Sequence, residues 1–374
     1  MPIRTKFKKK TQKYLAVSPF YLNFANHMEK QRIIFTSELK HDLTEEITRS
    51  HYDRLYVLTD ETTRRFCWPL VESLTCLADA QLICIGEGEE HKTLESVVHV
   101  WRELQRHGAS RQSLLVNLGG GMVTDLGGFA ATTFKRGLHF INIPTTLLAM
   151  VDASVGGKTG INFEGLKNEV GVFRNAECVV VCTEFLKTLD HKNQLSGYAE
   201  MLKHALLTQG EMLSRLLRLD LSDERQLSDI LPDNIAVKQR IVLEDPNEQG
   251  IRKALNLGHT FGHAFESLAL RQHHIPHGFA VAYGLVCELY LSVIKMGFPV
   301  ERMRQVVRFI KENYGRMTFS CDDYPTLLEL MVHDKKNAFG RINFTLLADV
   351  GDIHINQTAT KNEIEEAFDF LREG

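Results

Sequence analysis

Histidines at helical spacing are the first residues in this chain whose types and positions could do chemistry. His259 and His263 lie four apart in NLGHTFGHAFE and share one face of a predicted helix, and His277 follows in IPHG. The spacing resembles that of HExxH zinc proteases, but Thr260 replaces the required glutamate, so a metalloprotease is not expected. Three histidines beside a remote carboxylate instead predict a metal site, with Glu200 in GYAEMLK as a candidate ligand.

Glycines and cations are concentrated in residues 119–168, in GGGMVTD, FKRG and VGGKTG. Glycine lets backbone N–H groups approach phosphate oxygens, and lysine or arginine neutralises their charge. GGGMVTD lacks the full GxGxxG pattern, and a P-loop is excluded because Asp152 stands where its first glycine is needed. We therefore expect phosphorylated ligands here, with Lys158 and the pair Lys167–Asn168 as phosphate contacts.

Short apolar runs alternate with helical patterns in the first half of the chain. This alternation is typical of a parallel sheet covered by helices on both faces, and ligands bind such sheets at the carboxyl ends of the strands. Gly119 and Pro144 end two of the runs. The predicted strands are residues 32–36, 54–59, 80–86, 113–119, 140–144 and 178–182.

Strand patterns nearly vanish after about Asp190, and segments such as YAEMLKHALL and HAFESLALRQ are typical of helices. The predicted fold class is therefore α/β, with a parallel-sheet domain in residues 1–185 and a mainly α-helical domain in residues 186–374. We expect the active site in the cleft between them.

Composition narrows the function classes. The chain has 374 residues, 44% of them hydrophobic and 24% charged, as expected for a two-domain globular enzyme. Its net charge of −3 argues against nucleic-acid or membrane partners. We interpret the basic start, MPIRTKFKKKTQK, as a solvated tail and not as an interaction arm. It also lacks the long apolar core of a signal peptide.

Two further patterns bear on location. The seven cysteines are scattered and form no CxxC pair, which indicates reduced thiols and a cytoplasmic protein. Residues 279–298 are the most membrane-like segment, but they contain Glu288 and Lys295, so a buried core helix is predicted there.

Long motifs in this chain match those of a known family. GGGxxxDLGGF, FKRG, PTTLLAxVDASVGGKTGIN, KN, GYAEMLK, LNLGHTFGHAFE, PHG and HDKK occur in the order seen in 3-dehydroquinate synthases, and the resemblance runs from about Asp60 to Gly340. It implies an N-terminal NAD-binding domain, a C-terminal helical domain and a homodimer. It also implies a shikimate-pathway reaction that converts 3-deoxy-D-arabino-heptulosonate 7-phosphate to 3-dehydroquinate and phosphate.

The resemblance implies a role for each matching residue. Glu200, His259 and His277 would bind a divalent metal, Zn²⁺ or Co²⁺, although spacing alone favours His259 with His263 as the ligand pair. The catalytic set would be His263 and Glu248, both in proton transfer, with Lys158 and Arg252. The NAD-binding set would be Asp60, Glu89, Lys92, Gly120, Gly121, Asp125, Thr145, Thr146, Lys167, Phe185 and Thr188. The substrate-binding set would be Arg136 (from the neighbouring subunit), Asp152, Lys158, Asn168, Lys203, Lys238, Arg252, Asn256, and Lys335 or Lys336.

The chain departs from the family pattern in three places. Ser196 stands where asparagine is common near the cofactor, Cys182 replaces a common aspartate, and two extra residues lengthen the loop before His277. Three other interpretations stay open on the sequence. They are a sister cyclase acting on sedoheptulose 7-phosphate, an NAD-dependent polyol-phosphate dehydrogenase such as glycerol-1-phosphate dehydrogenase, and a non-catalytic nucleotide sensor. A sensor would be expected to lack metal ligands, yet Glu200, His259 and His277 are all present.

Overall fold

Strands and helices alternate through the first half of the chain, and helices dominate the second. The computed structural model describes residues 31–270, 275–332 and 342–373. Its strands are β1 (Ile33–Phe35), β2 (Leu55–Asp60), β3 (Gln81–Ile85), β4 (Leu114–Gly119), β5 (His139–Pro144), β6 (Lys158–Phe163), β7 (Leu166–Phe173), β8 (Val179–Val181), β9 (Phe344–Asp349) and β10 (Asp352–Gln357). Its α-helices are α1 (Leu39–Arg49), α2 (Glu61–Phe66), α3 (Leu94–Arg106), α4 (Gly121–Thr133), α5 (His191–Leu206), α6 (Met212–Leu216), α7 (Glu224–Glu244), α8 (His259–Ala269), α9 (His277–Met296), α10 (Val300–Tyr314), α11 (Tyr324–Val332) and α12 (Lys361–Glu373).

Six strands form one parallel sheet in the order β1-β8-β5-β4-β2-β3. Each overlaps one of the six predicted strands, so the predicted sheet is confirmed. Successive side chains of a strand point to opposite faces. Leu55 and Val57 of β2 accordingly belong to one apolar cluster, and Tyr56 and Leu58 belong to another. Because both faces are covered, the strands are mostly apolar, which is why they were recognisable in the sequence. Asn117 of β4 and Asn142 of β5 are buried polar exceptions, and the Asn117 amide donates to Asn142 Oδ1 at 2.9 Å.

The order in which successive strands are added to the sheet reverses between β2 and β4, although all the strands stay parallel. From β2 the chain runs outward to β3, whereas from β4 it runs the other way to β5 and β8. A crevice forms at the carboxyl ends of strands where such a reversal occurs, and it is the usual ligand site of this sheet class. Asp60 ends β2 and Gly119 ends β4 at this point.

Helix α9 is the centre of the second half and packs against α5, α8, α10, α12 and β9. Among the described residues it is the one helix long and apolar enough to cross a membrane, but 67% of its most apolar window is buried inside the protein. The prediction of a buried core helix is therefore confirmed.

Two antiparallel hairpins were not predicted. β6 pairs with β7, and β9 pairs with β10 inside the half that was expected to be helical. Most side chains of β7 are exposed, and β10 is largely half-buried, so neither has the continuous apolar run that marked the parallel strands.

One apolar core cluster extends from Leu39 in α1 to Phe368 in α12 and joins both halves. The division of the chain at residues 185 and 186 stays a prediction.

Candidate functional site

Three helices bring the predicted metal ligands together. Glu200 lies on α5, while His259 and His277 begin α8 and α9. Glu200 Oε1 is 3.4 Å from His259 Nε2 and 3.5 Å from His277 Nε2. One ligand atom from each residue lies within 4.8 Å of the other two. One carboxylate and two imidazoles are a donor set that fits Zn²⁺ or Co²⁺ and leaves coordination positions for a substrate.

The second ring nitrogen of each histidine is also held. His259 Nδ1 is 3.1 Å from the backbone oxygen of Leu257, and His277 Nδ1 is 3.5 Å from Glu266 Oε2. Such contacts fix the orientation and tautomer of a metal-binding imidazole and leave Nε2 for the metal. Glu266 was missed at the sequence level, although it ends the quoted motif GHAFE three residues after His263.

Close approach between helices makes this cluster possible. A Cβ on Gly278 would lie 1.9 Å from the backbone oxygen of Ser196, and a Cβ on Gly284 would lie 1.9 Å from that of Gly258. Any side chain at either position would force the helices apart. The Ser196 hydroxyl accepts a 3.0 Å hydrogen bond from the Gly278 N–H, so this departure from the family pattern holds the start of α9.

Charge governs the pKa values around the ligands. Burial alone would lower the pKa of His277, but hydrogen bonds to Glu200 and Glu266 outweigh it and raise the pKa to about 10. Burial would raise the pKa of Glu200, but the charge of Lys203 dominates and holds it far below its ordinary value. Glu200 is therefore ionised, and its carboxylate stands beside both imidazoles as an anionic ligand for a cation.

A second charged cluster surrounds Asp152. Its Oδ1 is 2.7 Å from Lys238 Nζ, 3.6 Å from Lys203 Nζ and 3.7 Å from His204 Nε2. Lys203 also pairs with Glu200, which joins this cluster to the metal ligands. Lys203, His204 and Lys238 are all buried, and burial lowers the pKa of His204 and of Lys238 despite the neighbouring Asp152 carboxylate. Lys203 and Lys238 place two buried cations beside the metal ligands, where an anionic substrate can pair with them.

Lys158 and Glu248 form an ion pair between β6 and the loop after α7, and Asn256 Nδ2 donates to Glu248 Oε1 at 3.1 Å. Arg252 is 2% exposed and donates to the backbone oxygens of Pro246 (2.6 Å) and Gly156 (2.9 Å). Arg252 therefore connects this loop to the glycine-rich segment that precedes Lys158.

The predicted cofactor residues gather at the carboxyl ends of the strands. Gly120 directly precedes α4, and its Cβ would lie 3.1 Å from Thr146 Cγ2. This cradle and the free N–H groups at the start of α4 fit a pyrophosphate. Thr145 follows β5, and Asp60 accepts hydrogen bonds from Thr63 as the cap of α2.

Lys92, which follows β3 in the chain, is the centre of a second polar group. Its Nζ is 2.7 Å from Asp125 Oδ2, 2.5 Å from Asn168 Oδ1 and 4.0 Å from Glu89 Oε1. Asn162 was not predicted, but its amide donates to Glu89 Oε1 at 3.0 Å and accepts from the Asn168 N–H at 2.9 Å. The signal for Asn162 was its place in the quoted motif VGGKTGIN.

The remaining predicted site residues lie outside the metal, Asp152 and Lys92 groups described above. The His263 ring lies 5.4 Å from that of His259 and 6.1 Å from that of His277. Arg136 is exposed in the turn after α4, whereas Phe185 is buried, as is Cys182. Thr188 donates to the backbone oxygen of Phe185. Gly121 opens α4. Lys335, Lys336, the basic start and most of the loop before His277 fall outside the described residues.

Family models match most of this site. The N-terminal model of 3-dehydroquinate synthase matches residues 82–196, and the C-terminal model matches residues 197–337. This chain belongs to the 3-dehydroquinate synthase family. It is 53% identical to the 3-dehydroquinate synthase of Parabacteroides distasonis over 92% of this chain and 99% of that one. It is also 39% identical to the Pyrococcus furiosus enzyme, over 84% of this chain and 92% of that one.

Solved structures share the fold of this 3-dehydroquinate synthase family member. A 2-epi-5-epi-valiolone synthase from Streptomyces hygroscopicus, solved with NAD⁺ and Zn²⁺, has a TM-score of 0.81 over 99% of both chains at 22% identity. A 2-deoxy-scyllo-inosose synthase, solved with carbaglucose-6-phosphate, NAD⁺ and Co²⁺, has a TM-score of 0.78 at 22% identity and covers 91% of this chain and 96% of its own.

Proposed function

We propose that this chain is a 3-dehydroquinate synthase, a carbon–oxygen lyase that converts 3-deoxy-D-arabino-heptulosonate 7-phosphate to 3-dehydroquinate and phosphate in the shikimate pathway. The observation that carries the proposal is the junction of Glu200 with Lys203. Through it a three-residue metal site adjoins a cluster of buried cations. The 53% identity to a curated 3-dehydroquinate synthase supports the same reaction.

In this proposal NAD binds at the crevice between β2 and β4. Gly120, Gly121 and the start of α4 face its pyrophosphate, and Lys92, Lys167 and Asp60 supply the charged contacts. When bound, NAD accepts and returns one hydride within each turnover, and a divalent metal polarises the substrate hydroxyl. Glu200, His259 and His277 hold that metal.

The remaining side chains bind and orient the substrate. Lys158 and Asn256 contact Glu248, Arg252 is bonded to Pro246 of the same loop, and Lys203 and Lys238 converge on Asp152. These two cationic groups are suited to the two anionic ends of the substrate, a phosphate and a carboxylate. We assign proton transfer to Glu248, which pairs with Lys158, and to His263, whose ring lies beside those of His259 and His277.

The reaction is tested by measuring phosphate release with NAD and Zn²⁺ or Co²⁺ present. The heptulosonate carries a carboxylate where sedoheptulose carries a hydroxymethyl group, and cations left unpaired by the neutral group can cost on the order of 10⁴-fold in specificity. We expect rapid release from 3-deoxy-D-arabino-heptulosonate 7-phosphate and almost none from sedoheptulose 7-phosphate. Comparable rates on both sugars would instead support the sister cyclase.

Cofactor use separates the synthase from a dehydrogenase. Because the same NAD is reoxidised in each cycle, product should form in large excess over NAD, with no steady rise in NADH absorbance. Stoichiometric NADH formation with a polyol phosphate would support a polyol-phosphate dehydrogenase.

We also propose that the chain works as a homodimer and that Arg136 completes the site of the neighbouring subunit. The hairpin β6–β7 exposes large apolar side chains, namely Phe163 (45%), Leu166 (57%), Val170 (38%) and Phe173 (50%). Phe134, two residues before Arg136, packs against the same apolar cluster as Val172 of β7. An exposed apolar hairpin next to this turn is the kind of surface that a second copy covers.

Subunit mixing tests the shared site. Chains with Arg136→Ala and chains with His263→Ala should each have strongly reduced activity, whereas a mixture should recover part of the activity, since one hybrid site is intact. No recovery despite demonstrated subunit exchange would place Arg136 in the site of its own subunit.

All seven cysteines are described and free of disulfides, which supports a reducing compartment such as the cytoplasm for this enzyme.

A further inference from the structure

Glu266 lies between the metal ligands and the proposed cofactor site. It stands on α8 with a side chain that is 5% exposed. Its Oε1 is 2.7 Å from Lys167 Nζ on β7, and its Oε2 is 3.5 Å from His277 Nδ1 at the start of α9. One carboxylate therefore contacts a cation from the sheet half and a metal ligand from the helical half.

The two neighbours of Glu266 compete for the same negative charge. A carboxylate on the second nitrogen of a metal-binding histidine fixes the ring and increases its strength as a ligand. Lys167 neutralises part of that charge while it is paired with Glu266. If another anion attracted Lys167 away from Glu266, the full negative charge of the Glu266 carboxylate would act on His277.

We propose that Glu266 is a positioning residue that couples metal affinity to occupation of the cofactor site. The inference rests on the proposed function, in which Lys167 binds NAD and His277 binds the metal. A pyrophosphate near Lys167 attracts its ammonium group, and the released charge of Glu266 then strengthens His277 as a ligand. Because binding free energies are reciprocal, bound metal tightens NAD by the same factor.

The coupling is measured on protein freed of metal by a chelator. Co²⁺ is titrated with and without saturating NAD, its affinity being followed by visible absorption, and NAD occupancy is verified by equilibrium dialysis. In the unmodified chain, NAD should tighten Co²⁺ by about fivefold or more. This readout requires no turnover.

Two variants test the contacts of Glu266 with Lys167 and with His277 separately. Lys167→Met should bind Co²⁺ without NAD as tightly as the unmodified chain binds it with NAD, and added NAD should change nothing. Glu266→Gln keeps the shape of the side chain but should weaken Co²⁺ binding about 10- to 100-fold and also remove the dependence on NAD.

A matched control is present on the same helix as His277. Lys295 of α9 pairs with Glu363 at 2.8 Å, and Lys295→Met should retain the full effect of NAD on Co²⁺ affinity. If the unmodified chain binds both Co²⁺ and NAD without coupling, or if Lys167→Met keeps the coupling, the inference is overturned and the proposed function is not. If the unmodified chain fails to bind either one, the proposed function fails, and the inference with it.

Discussion

Glu200, His259 and His277 are held by three helices that pack through the core, whereas Lys158 and Glu248 stand on a hairpin and a loop. The side chains of Glu200, His259 and His277 are 0%, 11% and 31% exposed, and those of Lys158 and Glu248 are 50% and 24% exposed. We call these two regions the metal end and the loop end of the site. The difference indicates that the metal end is preorganised, while the loop end holds an ion pair that a substrate can replace.

The largest effect is expected at the metal end. His259→Ala leaves two protein ligands, so it should lose bound metal and reduce activity on the order of 10³-fold or more. His263→Ala should keep the metal and lose about 10²- to 10⁴-fold in rate, as expected for a proton-transfer group. Metal content and phosphate release measure the two effects. Metal loss in His263→Ala with retention in His277→Ala would reverse the ligand assignment.

Substitution at the loop end should reduce the rate and leave metal content unchanged. Lys158→Met removes a cation aimed at the substrate and should lower kcat/KM by about 10²- to 10³-fold. Lys187, an exposed lysine 3.7 Å from Glu224, is the matched control, and Lys187→Met should be fully active. Metal loss in Lys158→Met would show that the two ends are not separate.

The glycine-rich segment between the two ends depends on a residue that no motif marked. Gln31 Nε2 donates to the Ser154 oxygen at 3.2 Å, and Gln31 Oε1 accepts from the Gly156 N–H at 3.0 Å. Gln31→Ala leaves both backbone groups unpaired, so we expect a loss of about 1–3 kcal/mol in the free energy of unfolding. Denaturant unfolding measures it. Gln239→Ala removes a single bond to the Gln31 oxygen and should cost less.

The smallest effect concerns acid stability at the loop end. Burial would raise the pKa of Asp245, but hydrogen bonds from the N–H groups of Gly250, Gln249 and Arg252 outweigh it and lower the pKa. A carboxyl with a lowered pKa in the folded state stabilises above its unfolded pKa of about 3.9, and the contribution disappears as pH falls through the folded value.

Asp245→Asn should therefore lower the melting temperature at pH 7, and the difference from the unmodified chain should shrink below about pH 4. Thermal unfolding between pH 3 and 7 measures this. A difference that is constant over that range would show that Asp245 does not act through its charge.

The six parallel strands could be predicted because burial on both faces requires a continuous apolar run. The β6–β7 hairpin could not, since β7 is mostly exposed and has no such run. Glu266 and Asn162 were missed for a different reason. Each acts through partners distant in sequence, such as Lys167 and Glu89, and a single side chain carries no local sign of such partners.

The sequence by itself determined the residue types at the site, the parallel sheet and, through long motifs, the family. Spacing favoured His263 as the partner of His259, since both lie on one face of α8. Only the tertiary structure brought His277 to Glu200, because α9 can approach α5 where Gly278 leaves room for the Ser196 backbone. Which imidazole meets the carboxylate depends on the packing of three helices, and helical periodicity within one segment contains no information about that packing.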